Sequence, residues 1–306
     1  MLSKFLFMLP WGISKPLLPF FVFLKSLPVL IRLRRHAARS TDHILIYSLE
    51  KTGSCTINTS LRKKMPGAWL YQTHRLKNSG VLSDPFKVEA LRLKKHLVLN
   101  GTCDQRALFK ILKDKDFSKK VRIISLVRDP VAGNISHFFY RLYAMGNHPE
   151  ISCEELRKKS PQEQVALIMP IYLKDPYFIP GRKDWFASEM RPLLGLDVYK
   201  TPFAKERGYQ VYVGEHPPVL ILKLEKLASV AREAVQGFLG IPDFELVPAA
   251  NTAAEAGYAT AYEKFLERLV LPQPYLDEIY AARYVNHFYT KAEIRNFRKR
   301  WEHDPR

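Results

Sequence analysis

With 306 residues, 47 % of them apolar and 12 % aromatic, the chain carries enough hydrophobic material to bury a large core, which excludes a disordered or low-complexity protein. Forty-eight basic against 30 acidic residues leave a net charge of +18, more than one small-anion site requires, so an anionic partner is expected: a charged glycan, a membrane surface or nucleic acid. Cys55, Cys103 and Cys153 are isolated and odd in number, which gives no disulfide framework, no zinc-ligand spacing and a preference for a reducing compartment.

Residues 1–40 differ from the rest, 41–306, which reads as one α/β domain. Phe5–Ile13 and Leu17–Leu24 are strongly apolar, but Lys15 and Lys25 interrupt them, and Pro10, Pro16, Pro19 and Pro28 are expected to break any continuous helix. The uncharged stretches fall short of the roughly 20 residues that span a bilayer. No small-x-small cleavage site follows the apolar core, as a signal peptide would need. The basic run Arg32–Arg39 follows at once, so the segment reads as an interfacial membrane anchor, with packing onto the domain as the alternative. If it spanned, the basic flank would keep the domain on the cytoplasmic side.

His43–Tyr47 is a buried-strand run that empties into Ser48-Leu-Glu-Lys-Thr-Gly-Ser-Cys-Thr56 and then a helix starting near Gly53, with Ile57 and Leu61 as its inward face. Amides from Thr52 to Thr56, the Lys51 ammonium and the Ser54 and Thr56 hydroxyls would converge on a phosphate or sulfate. A nucleoside-triphosphate P-loop wants its lysine after the last glycine, with a hydroxyl behind it for magnesium. Here Lys51 precedes Gly53. Ala68–Leu76 reads as the second strand, ending at His74 on the same cleft edge. Lys87–Lys95 and Gln105–Lys113 look helical, and His96 precedes a possible strand at Leu97–Asn100.

Val121–Val127 is a third strand, followed by Arg128-Asp-Pro130 and a helix whose apolar side is Val131, Ile135, Phe138 and Leu142. Asp129 suits the N-cap and Pro130 the first helical position. Arg128 can grip a phosphate in bidentate fashion while Ser136, eight positions on, approaches the same group. Alternatively Arg128 simply pairs with Asp129 or another surface carboxylate. Residues 150–216 hold helices, proline-rich and aromatic loops such as Trp185–Met190, and a strand-like Tyr209–Val213. The last third reads as helices at Tyr258–Val270, Tyr275–Phe288 and Lys291–Trp301, the last with Arg295, Arg298, Lys299 and Arg300.

The two loops together resemble the nucleotide signatures of the sulfotransferase family, and the subgroup most similar is that of the capsular-polysaccharide synthesis proteins. The resemblance implies a P-loop-like sulfotransferase fold, with a central parallel sheet flanked by helices and a helical C-terminal third. It implies a 3′-phosphoadenosine 5′-phosphosulfate (PAPS) co-substrate held by Lys51, Thr52, Gly53, Ser54, Cys55 and Thr56 at the phosphosulfate and by Arg128 and Ser136 at the 3′-phosphate. Val219–Leu227 is similar to the family's strand followed by Glu-Asp-Leu, with Lys226 in place of the aspartate.

Sulfuryl transfer follows the logic of phosphoryl transfer: in-line positioning, and neutralisation of the leaving oxygen, here by Lys51, with no metal needed. The acceptor hydroxyl needs a general base. His74 is assigned, because Thr73-His74-Arg75-Leu76 is similar to the family's Lys-Thr-His-Leu, with Gln72 in place of the lysine. The alternative for His74 is a strand-end histidine bonded to backbone. His96 and Glu50 are rival bases; Glu50 otherwise pairs with a neighbouring basic group. His137 is expected to face elsewhere and His287 to be a packed helix residue. The expected activity is sulfuryl transfer to a hydroxyl on a carbohydrate, such as an anionic glycan, at a membrane surface. A P-loop-like kinase or nucleotide hydrolase, and a non-catalytic basic module binding membrane or nucleic acid, are the alternatives; no nucleic-acid recognition motif supports the last.

Overall fold

The computed structural model describes residues 11–76, 105–144, 150–174, 185–248 and 257–302. Five strands, β1 (His43–Tyr47), β2 (Trp69–Thr73), β3 (Val121–Val127), β4 (Tyr209–Tyr212) and β5 (Val219–Lys223), form one sheet in the order β2-β1-β3-β5-β4. The first four in that order are parallel, as expected. β4 departs from the pattern and pairs antiparallel with β5 at the sheet edge. The connection 213–218 is too short for the crossover that a parallel pair requires.

Strand alternation divides the core into two faces. Ile44, Ile46, Ile124, Leu126, Leu220 and Leu222 meet the inward stripes of α2 (Ser54–Lys64), through Ile57 and Leu61, and of the Leu227–Leu239 helix, through Ala231, Ala234 and Val235. Leu45, Tyr47, Ile123 and Val127 point the other way, into the larger core built with α3 (Pro130–Phe139) and the C-terminal helices. The register pairs His43 with both Trp69 and Val121, so the carboxyl ends of β1, β2 and β3 lie along one edge. The connections leave β1 in opposite directions, toward β2 and then β3, which makes this the switch point where α/β sheets open a crevice.

α1 spans Trp11–Arg39 without interruption, and Pro16, Pro19 and Pro28 do not end it. A proline removes one donor and crowds the preceding turn, which bends a helix without stopping it where flanking residues continue to propagate it. Its C-terminal half is docked: Leu33 and Ala37 are buried, Trp69 Nε1 donates to the Leu33 carbonyl at 3.1 Å, and His43 Nε2 meets the Ala37 carbonyl at 2.9 Å. Among the described residues no helix is long and apolar enough to cross a membrane. The last third is helical at Ala259–Arg268, Gln273–Ala281, Arg283–Phe288 and Lys291–Glu302; the expected single helix 275–288 breaks at the extended Ala282. Residues 87–100, with His96, and Cys103 lie outside the described residues.

Candidate functional site

Four loops leave the carboxyl edge of the sheet: 48–53 after β1, 74–76 after β2, 128–129 after β3 and 224–226 after β5. The first is shaped by two left-handed residues, Lys51 at φ 61° and Gly53 at φ 89°. α2 begins directly after Gly53 and has no side-chain cap. Its dipole and first amides therefore face the loop without a built-in anion. The Thr56 amide is already spent on the Gly53 carbonyl at 3.1 Å, so the expected run of donors stops short of it. The Thr52 hydroxyl is also committed: Thr52 is buried and donates to the Leu49 carbonyl at 2.7 Å. Ser54 accepts from Gln72 Nε2 at 2.9 Å, and Gln72 Nε2 lies 3.6 Å from Cys55 Sγ, which ties β2 to the start of α2.

The second loop reaches the first across 77 residues of sequence, for Arg128 Nη1 donates to the Lys51 carbonyl at 2.9 Å. Arg128 does not pair with Asp129. The Asp129 carboxylate is buried and accepts from Val131 N at 3.1 Å, Tyr280 at 2.9 Å and Trp301 Nε1 at 3.2 Å. Asp129 is thus the N-cap expected from the sequence, and burial raises its pKa above the usual carboxylate range. α3 therefore supplies its own cap, and an anion at the second loop would rest on the Arg128 guanidinium and the Ser136 hydroxyl. That hydroxyl is half-buried and makes no side-chain hydrogen bond among the described residues.

The backbone that presents Arg128 is held from two sides. The Tyr284 hydroxyl accepts from Arg128 N and donates to Arg128 O, both at 3.0 Å. Glu225, in the Glu-Lys-Leu stretch after β5, accepts from Asp129 N at 2.7 Å and from the Tyr289 hydroxyl at 3.1 Å. Lys226 bonds the Glu206 carbonyl and takes no part in the crevice.

His137, expected to face elsewhere, lies 3.1 Å from Glu50 through Nε2. His137 and Tyr140, three apart, share the loop-facing side of α3 and its continuation. Glu50 is thus paired to a neighbouring basic group. α3 runs on into a π-helical turn at Tyr140–Ala144, and the Lys51 ammonium sits 4.6 Å above the Tyr140 ring. Burial raises the Tyr140 pKa, with smaller contributions from Glu50 and Cys55.

His74 follows β2 and its Nδ1 lies 2.8 Å from the Ser48 carbonyl. A carbonyl only accepts, so Nδ1 carries a proton, and in the neutral ring Nε2 then holds the lone pair. This is the backbone hydrogen bond that the alternative reading of His74 called for. Trp185 Nε1 donates to the His74 carbonyl at 2.8 Å, and the buried Glu189 accepts from Leu76 N and from the Tyr47 hydroxyl, both at 2.9 Å. His287 is packed as expected, against Tyr199, Phe203 and Phe288, and burial lowers its pKa to about 4, helped by Lys205 and Arg283.

Tyr140, Glu189 and Tyr284 have no sequence signal as site residues: Tyr140 lies on the continuation of α3, and Glu189 and Tyr284 come from later helical turns. Gln72 had one, standing at the position of a lysine. Among the described residues no group of three or more His, Cys, Asp or Glu side chains could hold a metal ion. The family model described as "Putative capsular polysaccharide synthesis protein" (NKWYS) matches residues 162–290, and no sulfotransferase family model matches. No curated protein and no solved structure matches the chain.

Proposed function

We infer that this protein is a PAPS-dependent sulfotransferase with a P-loop-like sulfotransferase fold, acting on a carbohydrate hydroxyl. The observation that carries the reading is the Arg128 guanidinium on the Lys51 carbonyl at 2.9 Å. It joins two anion-binding elements, as a nucleotide with separated 5′- and 3′-anionic groups requires. The residues fit that ligand: an uncapped helix N-terminus with Lys51, Gly53, Ser54 and the amides of Thr52 and Cys55 on one side, Arg128 and Ser136 on the other. A magnesium-nucleotide kinase or hydrolase is less well supported, because the Thr52 hydroxyl is turned into its own loop and the Asp129 carboxylate is buried among Val131, Tyr280 and Trp301.

In this reading His74 Nε2 accepts the proton of the acceptor hydroxyl as that oxygen bonds to sulfur. The bond from sulfur to the phosphate oxygen breaks, and Lys51 neutralises the charge left on that oxygen. The family description matched over residues 162–290 names capsular polysaccharide synthesis, which supports a glycan acceptor, and the +18 charge favours an anionic one.

A membrane surface fits the outer face of α1. Leu24, Leu27 and Ile31 are 38, 37 and 51 % exposed and lie in line with exposed Arg34 and Arg35 one turn on, opposite the docked Leu33 and Ala37. Apolar wedges followed by cations suit an anionic leaflet, which supports a location at the cytoplasmic side of a membrane.

Calorimetric binding of 3′-phosphoadenosine 5′-phosphate, beside ATP with and without magnesium, tests the site. Wild type is expected to bind the bisphosphate in the micromolar range, about −8 kcal/mol, and ATP far more weakly. Arg128→Ala is expected to lose at least tenfold toward the bisphosphate and little toward adenosine 5′-phosphosulfate, which lacks the 3′-phosphate. Equal losses with both ligands would remove Arg128 from the 3′-site, and no preference for the 3′-phosphate would end the sulfotransferase reading.

A further inference from the structure

The turn that carries His74 is built by residues from two distant parts of the chain. One side is the end of β1, where Ser48 accepts from the imidazole and Ser48 N meets the Thr73 carbonyl at 3.4 Å. The other is Trp185 and the π-helical turn Phe186–Met190, more than a hundred residues later. A π turn widens the helical repeat and recurs at functional sites. Two residues four apart on this turn reach His74 and Leu76, which are two apart: the Trp185 indole donates to the His74 carbonyl and Glu189 accepts from Leu76 N. Glu189 Oε2 also takes the Tyr47 hydroxyl, the last side chain of β1, and the Trp185 ring lies edge-on to Tyr47 at 4.8 Å. Trp185 and Glu189 are 4 and 3 % exposed, so a lost bond in this cluster is not replaced by solvent.

We propose that Trp185 and Glu189 are positioning residues for His74: they clamp the turn after β2 so that Nδ1–H stays on the Ser48 carbonyl and Nε2 faces the crevice as the base. The proposal rests on the role given to His74 above, but its geometric content stands without it. Both residues fall inside the segment 162–290, whose family model leaves out both anion loops. That segment therefore contributes to the site by holding the base.

The test reads the tautomer of His74 directly, by long-range ¹⁵N–¹H NMR of the imidazole at alkaline pH, with the His74 signal assigned from a His74→Gln control. Wild type is expected to show Nδ1–H as the dominant species. Trp185→Phe keeps the ring and deletes the donor, and Glu189→Ala deletes the acceptor; both are expected to turn that signal into a mixture of tautomers. Glu189→Gln keeps an oxygen able to accept from Tyr47 and Leu76, and is expected to retain the wild-type signal. A purely structural role would lower the melting temperature and leave the tautomer alone, so an unchanged His74 signal in folded Trp185→Phe overturns the proposal. Dominant Nε2–H in wild type overturns it as well. Should Glu189→Ala not fold, Trp185→Phe and Glu189→Gln decide between them. Binding of 3′-phosphoadenosine 5′-phosphate to the same samples keeps the two ideas apart: its absence in wild type counts against the sulfotransferase reading, whereas the tautomer result still decides the positioning role.

Discussion

A Cβ on Gly53 would come within 2.5 Å of Leu224 Cδ1, at a φ of 89° that side chains rarely adopt. Lys51 holds a similar φ of 61° without glycine's freedom, at a cost of about 1 kcal/mol. Strain of this kind persists where the surroundings over-determine it, and here the Arg128 bond to the Lys51 carbonyl does so. Gly53→Ala is expected to destabilise the fold by about 2 kcal/mol and to abolish bisphosphate binding; denaturation and calorimetry with near-wild-type values would show a loop free to relax. His287 gives a pH prediction. Its folded pKa of about 4 lies below the ordinary 6.5, so its contribution to stability is present above 6.5 and is lost as pH falls toward 4. Denaturation of wild type against His287→Leu should differ in slope over that window, by about 3 kcal/mol in total. Parallel pH profiles would place the titration elsewhere.

At the scale of elements, α1 has two faces with different roles. Leu33, Ala37 and the Trp69 bond belong to the core, so removing residues 1–40 exposes Trp69 and is expected to cost at least about 3 kcal/mol. Replacing the exposed Leu24, Leu27 and Ile31 by serine should leave the melting temperature within a few degrees and lower binding to vesicles containing anionic lipid. The truncation and the triple variant, read by circular dichroism and vesicle sedimentation, separate anchoring from packing: full vesicle binding by the triple variant would reject the anchor. The two π-helical turns among the described residues have parallel effects, one placing Tyr140 under Lys51 and the other placing Glu189 against the His74 turn. The C-terminal helices act on Arg128 in the same way, through Tyr284, and on Asp129 through Tyr280 and Trp301.

For the whole molecule, the sequence by itself determined the first three strands, the helices that follow β1 and β3, the Asp129 cap and the two candidate loops, because those depend on local periodicity, capping chemistry and glycine geometry. Ile57 and Leu61 are buried as their spacing required, and β1, β2 and β3 are where the apolar runs placed them. The continuous α1 and the antiparallel β4 were not legible. The first turns on whether flanking residues carry a helix past its prolines, the second on which strand a short connection can reach. Only the tertiary structure decided that Arg128 turns to Lys51 and away from Asp129, that His137 meets Glu50, and that Trp185 and Glu189 hold His74. These contacts join residues from 77 to 113 positions apart, or residues whose side depends on how one helix is rotated against a loop. Local propensity constrains neither, so the order of strands in the sheet and the packing of helices upon it had to settle them.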